Sequence, residues 1–406
     1  MKSDPTKETE ESFLSKKMLL IILSFGHTIV HWYQGLFSLL LPFVKSSLLL
    51  SDVQIGILSS IRQSAMTGLN LPSGFVADSY RRHTSLILFS AIMAFGSGYF
   101  LLGITKTYSI AILASAVIGS GTALWHPAGI GALSITYPKN RGTALSIHGV
   151  GASIGDSLGP IIVGALFLQF SWKNIMVLHL PASIITGIII SLGVMKAYRW
   201  ENEKKQFKNY ISDIKKLASN IQTISIMASY SFILMGRLVI QTFLPIYISE
   251  TLGYSSFVLG VYLTLLYVLG MISQPIMGIA SDKYGRKMVL APSYGLLSIL
   301  YLGLIISKNS IQLGIVISSI GLFFYAVSNV ATSAIMDLAN KNIQSSSMGI
   351  MGLFSQPFTL IAPILAGFFV QSSNIQSAFW FASIVSLFAF ITLLPVSFTN
   401  PQQNNK

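Results

Sequence analysis

Apolar segments long enough to cross a bilayer alternate with short polar segments along most of the chain. A membrane-spanning helix needs roughly 20 mostly apolar residues, and runs of that length predict about twelve spans. The predicted fold class is therefore an all-α membrane protein. The spans are expected at residues 18–44, 53–77, 84–105, 108–134, 142–170, 173–195, 221–248, 256–280, 288–307, 310–336, 346–371 and 376–396.

The longest polar interruption, residues 196–220, divides the predicted spans into two equal sets. Apolar residues recur inside it at helical spacing from Ile211 to Ile221, and lysines lie off that stripe. This pattern predicts a helix that lies at the lipid surface. The predicted organisation is an N-terminal tail 1–17, a first half 18–195, a linker with the interfacial helix 196–220, a second half 221–396 and a C-terminal tail 397–406.

Matching segments recur about half a chain apart. GFVADSYRRHTSL at 74–86 aligns with GIASDKYGRKMVL at 278–290, an offset of 204 residues, and an offset of 203 carries Pro160 onto Pro363. Agreement at nearly one period over half of a chain indicates internal duplication. Duplicated transporter halves bind their ligands near the middle of the membrane. The sequence therefore predicts two pseudo-symmetric halves of six helices each.

Composition excludes a soluble protein. Of the 406 residues, 52% are hydrophobic and 10% are charged, and so few charges cannot cover the surface of a soluble domain of this size. A formal charge of +13 would suggest nucleic-acid binding in a soluble protein. Here most Lys and Arg residues fall in alternate loops, so both termini are predicted to be cytoplasmic by the positive-inside rule, and no nucleic-acid partner is expected. The chain has no Cys, which excludes disulfides and thiolate metal sites.

Two duplicated loops, each after the second predicted span of a half, combine glycine, an acid and cations. In GIASDKYGRK (278–287), glycine permits close helix approach, the acid lies at a helix end and the cations face anionic lipid or carboxylates. A cytoplasmic turn rich in cations is the plain structural alternative. The loop resembles the signature G-x-x-x-D-x-x-G-[RK]-[RK] of the major facilitator superfamily, which implies a latch between the cytoplasmic ends of the halves. The first copy departs from it at Arg81 and His83. The implied gating residues are Gly74, Asp78, Arg82, Gly278, Asp282, Gly285, Arg286 and Lys287.

Glycines recur every four residues in the predicted fifth span, GVGASIGDSLGPIIVG (149–164). Gly151, Gly155 and Gly159 therefore share one face, which allows another helix to pack backbone to backbone. Tight packing without directional meaning is one interpretation. The segment also resembles the antiporter motif of the fifth helix in the major facilitator superfamily, and that resemblance favours export. The residues that carry it are Gly155, Gly159, Pro160 and Gly164.

A longer stretch, residues 119–160, together with His27 and the run HWYQGLFSLLLP at 31–42, resembles the fosmidomycin-resistance branch of the major facilitator superfamily. The resemblance covers mainly the first half of the chain. It implies a proton-driven efflux protein of a bacterial inner membrane, with the helical fold of the superfamily.

Ionisable side chains inside spans cost about 2.5–3.5 kcal/mol each on insertion scales, so they indicate either function or pairing. Arg62, Arg237 and Asp156 lie within predicted spans. In one interpretation, Arg237 binds an anionic group of the substrate and Asp156 exchanges the coupling proton, because a buried carboxylate can titrate near neutral pH. In the other, Arg62 and Asp156 form a structural ion pair.

Histidines and glutamines supply further candidates for a substrate or ion pathway. His27 and His31 are four residues apart and share one face of the first predicted helix. They could relay protons or bind metal. Because two ligands fall short of a usual metal site, a polar cavity lining is favoured and no metal is predicted. The other candidates are Gln34, His126, His148 and Gln241.

Together these features predict a secondary transporter that exchanges protons for a small anionic or amphipathic compound by alternating access. No G-x-x-x-x-G-K-[ST] motif is present, so ATP is not the expected energy source, and neither a cofactor nor enzymatic activity is predicted. Uptake of an organic acid or a siderophore complex is the alternative within this class, and a channel or signalling membrane protein is the alternative outside it. The expected partners are the substrate, protons and the lipid bilayer, and the chain is expected to act as a monomer in a bacterial inner membrane.

Overall fold

The computed structural model describes residues 5–197, 221–307, 309–338 and 344–396. These residues form helices joined by short turns, and they contain no strand. A 3₁₀ turn, Arg81–His83, precedes the third helix, and a π-helical segment, Tyr247–Thr251, follows the seventh. The helices are α1 (Pro5–Leu48), α2 (Asp52–Ser79), α3 (Thr84–Ile104), α4 (Tyr108–Thr136), α5 (Arg141–Leu166), α6 (Trp172–Ala197), α7 (Ile221–Ile246), α8 (Ser256–Tyr284), α9 (Arg286–Ile306), α10 (Ser310–Phe324), α11 (Ala326–Leu338), α12 (Gln344–Ser372) and α13 (Gln376–Leu393).

The apolar segments of the sequence account for these helices. Within the described ranges, 10 helical segments are long and apolar enough to span a membrane, which confirms the predicted all-α membrane class. α10 and α11 together form one of these segments, Ser310–Ile335. α1 and α2 cover the first two predicted spans, while the total of twelve spans and the side on which the termini lie stay predictions.

The first helix extends beyond its predicted apolar span at the N-terminal end. α1 begins at Pro5, although the first predicted span begins at Met18. The predicted interfacial helix falls on residues 198–220, and the C-terminal tail on 397–406, both outside the described residues.

The chain folds into two compact units. The end of α1 and the start of α2 group with the second unit, although the sequence assigned them to the first half. The reason is close packing on α12: a Cβ atom at Gly56 would overlap the Pro363 carbonyl, and one at Gly367 would lie 2.5 Å from the Asp52 carbonyl. The first unit comprises Met1–Phe37 and Ile61–Lys205, and the second comprises Ser38–Ser60 and Gln206–Lys406.

Small residues bring the helices of the first unit together. α3 packs along both α4 and α6. A Cβ at Gly98 would lie 2.5 Å from Ile118 of α4, and one at Gly96 would overlap Ser183 of α6. Without hydrophobic driving force between helices in lipid, such close approach supplies the packing energy that holds a membrane bundle together.

The second unit uses the same device. α7 packs against α12 and α13, α9 packs against α13, and α8 packs against α10. A Cβ at Gly321 of α10 would lie 2.7 Å from the Leu266 carbonyl of α8. The close contact fixes how the end of α10 approaches its neighbours, which matters for the polar site described below.

Candidate functional site

Helix α5 lies against α1 along the glycine stripe that the sequence predicted. A Cβ at Gly151 would overlap the Ser24 carbonyl, and one at Gly155 would overlap the Thr28 carbonyl, one turn further along α1. At Gly159, after another turn, a Cβ would lie 3.1 Å from an α1 carbonyl. The two backbones therefore stay in contact over about two turns, which brings α5 side chains beside the α1 histidines.

The antiporter-like residues belong to this same packing face. Pro160 approaches α1 as well, since its Cδ lies 3.3 Å from the Cβ position of Gly35. Gly164 is buried further along α5. Close helix packing is therefore a sufficient structural reason for the small residues of this motif, and the contacts carry no information on the direction of transport.

Four histidines meet in the first unit, and we call them the histidine cluster. His27 and His31 come from α1, His126 from α4 and His148 from α5. The His27 ring stacks on His148 with centroids 3.9 Å apart. It meets His31 and His126 edge-on, at centroid distances of 4.6 and 5.3 Å. The structure thus brings all four predicted histidine candidates together.

Asp156 of α5 adds a carboxylate to the cluster. It is buried, and its Oδ2 lies 2.9 Å from Nδ1 of His31. The sequence left open a pair between Asp156 and Arg62, but the structure pairs Asp156 with His31, and the Arg62 guanidinium lies over the Phe37 ring at 4.6 Å. Gln34, one turn beyond His31 on α1, has a buried amide nitrogen without a hydrogen-bond partner among the described residues.

Backbone carbonyls hold two further rings of the cluster. His27 Nδ1 lies 2.8 Å from the carbonyl oxygen of His148, and His126 Nδ1 lies 3.0 Å from that of Thr122, one turn earlier in α4. A carbonyl oxygen only accepts hydrogen bonds, so both Nδ1 atoms donate. The Nε2 atoms of His27 and His126 then face one another at 3.4 Å.

The second unit has a different polar centre, which we call the arginine site: Arg237, Phe324, Tyr325 and Ser328. Arg237 Nη1 donates to Ser328 Oγ at 3.1 Å. The guanidinium carbon lies 4.8 Å from the Tyr325 ring centroid and 5.5 Å from that of Phe324. Arg237 Nε is buried without a hydrogen-bond partner, and no carboxylate in the described part of the chain forms an ion pair with this guanidinium.

A helix break builds the arginine site. α10 ends at Phe324 and α11 begins at Ala326. The backbone N–H groups of Ser328 and Asn329 both bond to the Tyr325 carbonyl, at 3.1 and 3.3 Å, so the chain makes a tightened turn at this point. The sequence predicted one continuous span here, because no proline or glycine marks the break. Gln241, the other candidate on α7, lies one turn beyond Arg237 and is half-buried.

The duplicated loop in the second unit is an ion-pair cluster. Gly285 joins α8 to α9 with a φ of +98°, a conformation that glycine adopts without strain. Arg286 pairs with Asp282 one turn earlier and, at 2.9 Å, with Asp337 near the end of α11. Lys287 Nζ donates to the carbonyl oxygen of Leu394 at 2.5 Å.

The first copy of the loop folds differently. The 3₁₀ turn Arg81–His83 replaces the glycine corner, and α2 reaches Ser79, so Asp78 lies in its last turn. None of the three turn residues has a positive φ, which explains how Arg81 occupies the place of Gly285. Neither first glycine makes a close approach within its unit, because a Cβ at Gly74 would lie 3.9 Å from its nearest neighbour and one at Gly278 would meet nothing within 4 Å.

Sequence reasoning found the charged and histidine groups but missed the aromatic and hydroxyl ones. Phe37, Phe324, Tyr325 and Ser328 contact the two arginines. The chain contains 25 Phe and 16 Tyr, so an aromatic residue in a span does not stand out by type. The adjacent pair Phe324–Tyr325 in the middle of a span was the one weak signal available.

Comparison with known families gives one match that covers most of the chain. A family model described as Major Facilitator Superfamily matches residues 23–356 and again residues 226–406. The two matched ranges overlap and together include helices of both units.

Two curated relatives and one solved structure are informative. The fosmidomycin resistance protein of Escherichia coli (strain K12) is 24% identical over 277 residues, 67% of this chain and 67% of its own. The hexuronate transporter of Bacillus subtilis (strain 168) is 23% identical over 420 residues, 94% of this chain and 95% of its own. The crystal structure of a bacterial homolog to the human lysosomal transporter Spinster, inward-facing and unoccupied, has a TM-score of 0.74 at 13% identity and covers 97% of this chain and 96% of its own. At that identity the likeness concerns the fold alone.

Proposed function

Because the chain belongs to the Major Facilitator Superfamily, we propose that it is a proton-coupled secondary transporter that exports a small anionic or amphipathic compound. Membership of the family supports transport, and alternating exposure of the substrate to the two sides of the membrane is the mechanism of this proposal. The 10 described segments of membrane-spanning length support a multi-pass protein. We assign it to a bacterial inner membrane, as a monomer whose partners are substrate, protons and lipid.

The arginine site carries the proposal of an anionic substrate. A guanidinium has five N–H donors, and the described contacts of Arg237 are one hydroxyl and two ring faces. A cation inside a membrane protein is costly unless an anion or dipoles compensate it. A carboxylate, phosphate or phosphonate of the substrate supplies that partner, and the Phe324 and Tyr325 rings provide an apolar surface for the rest of the molecule.

The names of two relatives fit the same substrate class. Fosmidomycin and hexuronates are acidic compounds, and the two proteins are named for them. An anion-binding arginine suits both. The two names differ in direction, since resistance implies export and a hexuronate is a nutrient. Uptake of an organic acid is therefore the second candidate. The hexuronate transporter favours it, because that match extends over 95% of the relative's length.

The pair of Asp156 and His31 supports the proton as the coupling ion. The carboxylate and the imidazole are 2.9 Å apart, and both are groups that can carry a proton. With the proton bound the pair is neutral, and without it the pair carries one negative charge. A proton taken up on one side of the membrane and released on the other changes the charge of this buried site, so it can be linked to a conformational change.

A flux assay in everted membrane vesicles tests direction and coupling together. After respiration has acidified the vesicle lumen, fosmidomycin or glucuronate is added and luminal pH is followed by a fluorescent dye. Export by antiport predicts release of luminal protons from everted vesicles on addition of substrate, while uptake by symport predicts no such release and instead predicts proton entry into right-side-out vesicles. Vesicles from a strain that lacks the protein are the control.

The same assay separates a carrier from a channel. Accumulation of substrate must collapse when a protonophore is added, because the gradient is its energy source. Flux that continues unchanged without a gradient would contradict coupled transport. Arg237→Gln should lower the flux of both anions, and Arg141→Gln, at an exposed position, should leave it unchanged.

A further inference from the structure

The Nε2 atoms of three histidines in the cluster are free to act as ligands. His27 and His126 donate from Nδ1 to carbonyl oxygens, and His31 donates from Nδ1 to the Asp156 carboxylate. All three partners are acceptors, so each Nδ1 carries the hydrogen and each neutral ring has a lone pair on Nε2. The tautomers of the three rings are thus set by oxygen atoms on two helices, α4 and α5.

The ring nitrogens of the three histidines converge. The Nε2 atoms of His27 and His126 are 3.4 Å apart, and one ring nitrogen from each of His27, His31 and His126 lies within 4.8 Å of the others. Tetrahedral zinc binds imidazole nitrogen at about 2.0–2.1 Å, which separates two ligand nitrogens by roughly 3.4 Å. Two lone pairs at that distance repel each other unless a cation lies between them.

His31 distinguishes a metal from a shared proton. A single proton between His27 and His126 would satisfy those two rings, but it would not reach a third nitrogen. Nε2 of His31 is buried and has no hydrogen-bond partner among the described residues. A metal ion accepts all three lone pairs. We propose that His27, His31 and His126 bind one divalent transition-metal cation, of which Zn²⁺ is the probe used below, through their Nε2 atoms.

The groups behind the ligands fit this assignment. Metal-bound histidines usually donate their other N–H to a carboxylate or a backbone carbonyl, which fixes the ring and raises its basicity. Asp156 has that position behind His31, and the carbonyls of His148 and Thr122 have it behind the other two rings. An all-imidazole ligand set favours zinc, cobalt, nickel or copper over magnesium and calcium.

Three protein ligands leave one position of a tetrahedral ion open. Zinc sites of this kind bind water or an anionic group at the fourth position. The site differs from the arginine site in chemistry and does not depend on it, although it shares His31 and Asp156 with the proposed proton-coupling pair. Metal binding is a property of the first unit that equilibrium measurements detect without any transport.

Metal titration of the purified full-length protein in detergent tests the proposal. Calorimetry with Zn²⁺ at pH 7.5 should show one saturable site per chain, and Co²⁺ should give the visible absorption bands of a tetrahedral complex that Zn²⁺ abolishes. His126→Gln and His31→Gln should each weaken binding by more than tenfold. Asp156→Asn keeps all three ligands and should weaken binding by about 10–100-fold, the usual effect of losing the group behind a ligand.

The two histidines outside the cluster are matched controls. His83 is exposed, and His179 Nε2 already accepts a hydrogen bond from Trp32 Nε1 at 3.4 Å. His83→Gln and His179→Gln should bind Zn²⁺ as the wild type does. Loss of binding in His83→Gln, or undiminished binding in His126→Gln, would overturn the proposal because the metal would then lie elsewhere.

The wild type gives a second test that needs no variant. Absence of saturable Zn²⁺ binding at pH 7.5 would overturn the proposal even if the histidine variants fail to fold. That outcome would leave the anion-flux assay unaffected.

Discussion

The two units share a helical plan and differ in the charge that their polar centres can hold. The first unit gathers four imidazoles and a carboxylate, which suits a cation. The second holds a guanidinium between aromatic rings and a hydroxyl, which suits an anion. The offset of 203 residues carries Gln34 of the first unit onto Arg237 of the second. The predicted duplication therefore places different side chains at matching positions, and the two proposed sites differ accordingly.

Removing the acid of the first unit should have the largest effect. Asp156→Asn cannot exchange a proton, so substrate-driven proton release in everted vesicles should fall to the level of vesicles without the protein. Asp52→Asn, whose carboxylate pairs with Lys45 at the end of α1, is the matched control and should retain the signal. If Asp156→Asn releases protons normally and elutes as a monodisperse protein, the acid is structural and the two centres do not divide the work as proposed.

Removing the cation of the second unit should weaken substrate binding without abolishing it. A hydrogen bond to a charged group contributes about 1.5–3 kcal/mol, so Arg237→Gln should raise the half-saturating anion concentration by roughly 10–100-fold. Arg237→Lys keeps the charge without the planar fork and should fall in between. The measurement is the concentration dependence of flux, and an unchanged half-saturating concentration would remove the anion-binding role.

Substitutions in the glycine stripe of α5, which positions the histidine cluster, should change the stability of the protein. Gly155→Ala places a methyl group into the Thr28 carbonyl of α1, and such overpacking costs about 1–3 kcal/mol. Gly149→Ala, where a Cβ meets nothing within 4 Å, should be neutral or slightly stabilising, since alanine favours the helix. Thermal unfolding in detergent compares the two. Equal melting temperatures would show that α1 and α5 do not depend on this contact.

The smallest expected effect is a difference in stability between substitutions in the two duplicated loops. Gly285 has a φ of +98°, so Gly285→Ala should destabilise the second unit by about 1 kcal/mol. Arg81→Gly at the matching position of the first loop changes a turn without positive φ and should cost less than that. Thermal unfolding in detergent compares the two variants. An Arg81→Gly variant that is less stable than Gly285→Ala would contradict the proposed difference between the two loops.

Much of the fold was predictable because its determinants are local. Apolar runs predicted the helices that the structure shows, while the duplication indicated by the repeated segments stays a prediction. The spacing of Gly151, Gly155 and Gly159 gave a packing face that the structure places against α1. Helix ends were less predictable: no proline or glycine stands at Tyr325, where α10 ends and α11 begins.

The sequence by itself determined which residues carry chemistry: the histidines, Asp156 and Arg237 are costly in a membrane and therefore conspicuous. Only the tertiary structure decided their partners. His27 and His31 alone made too few ligands for a metal, and His126, from another helix, supplies the third. Asp156 pairs with His31 across 125 positions of sequence. Helical spacing reports which residues share a face, but the packing of one helix on another decides which faces meet.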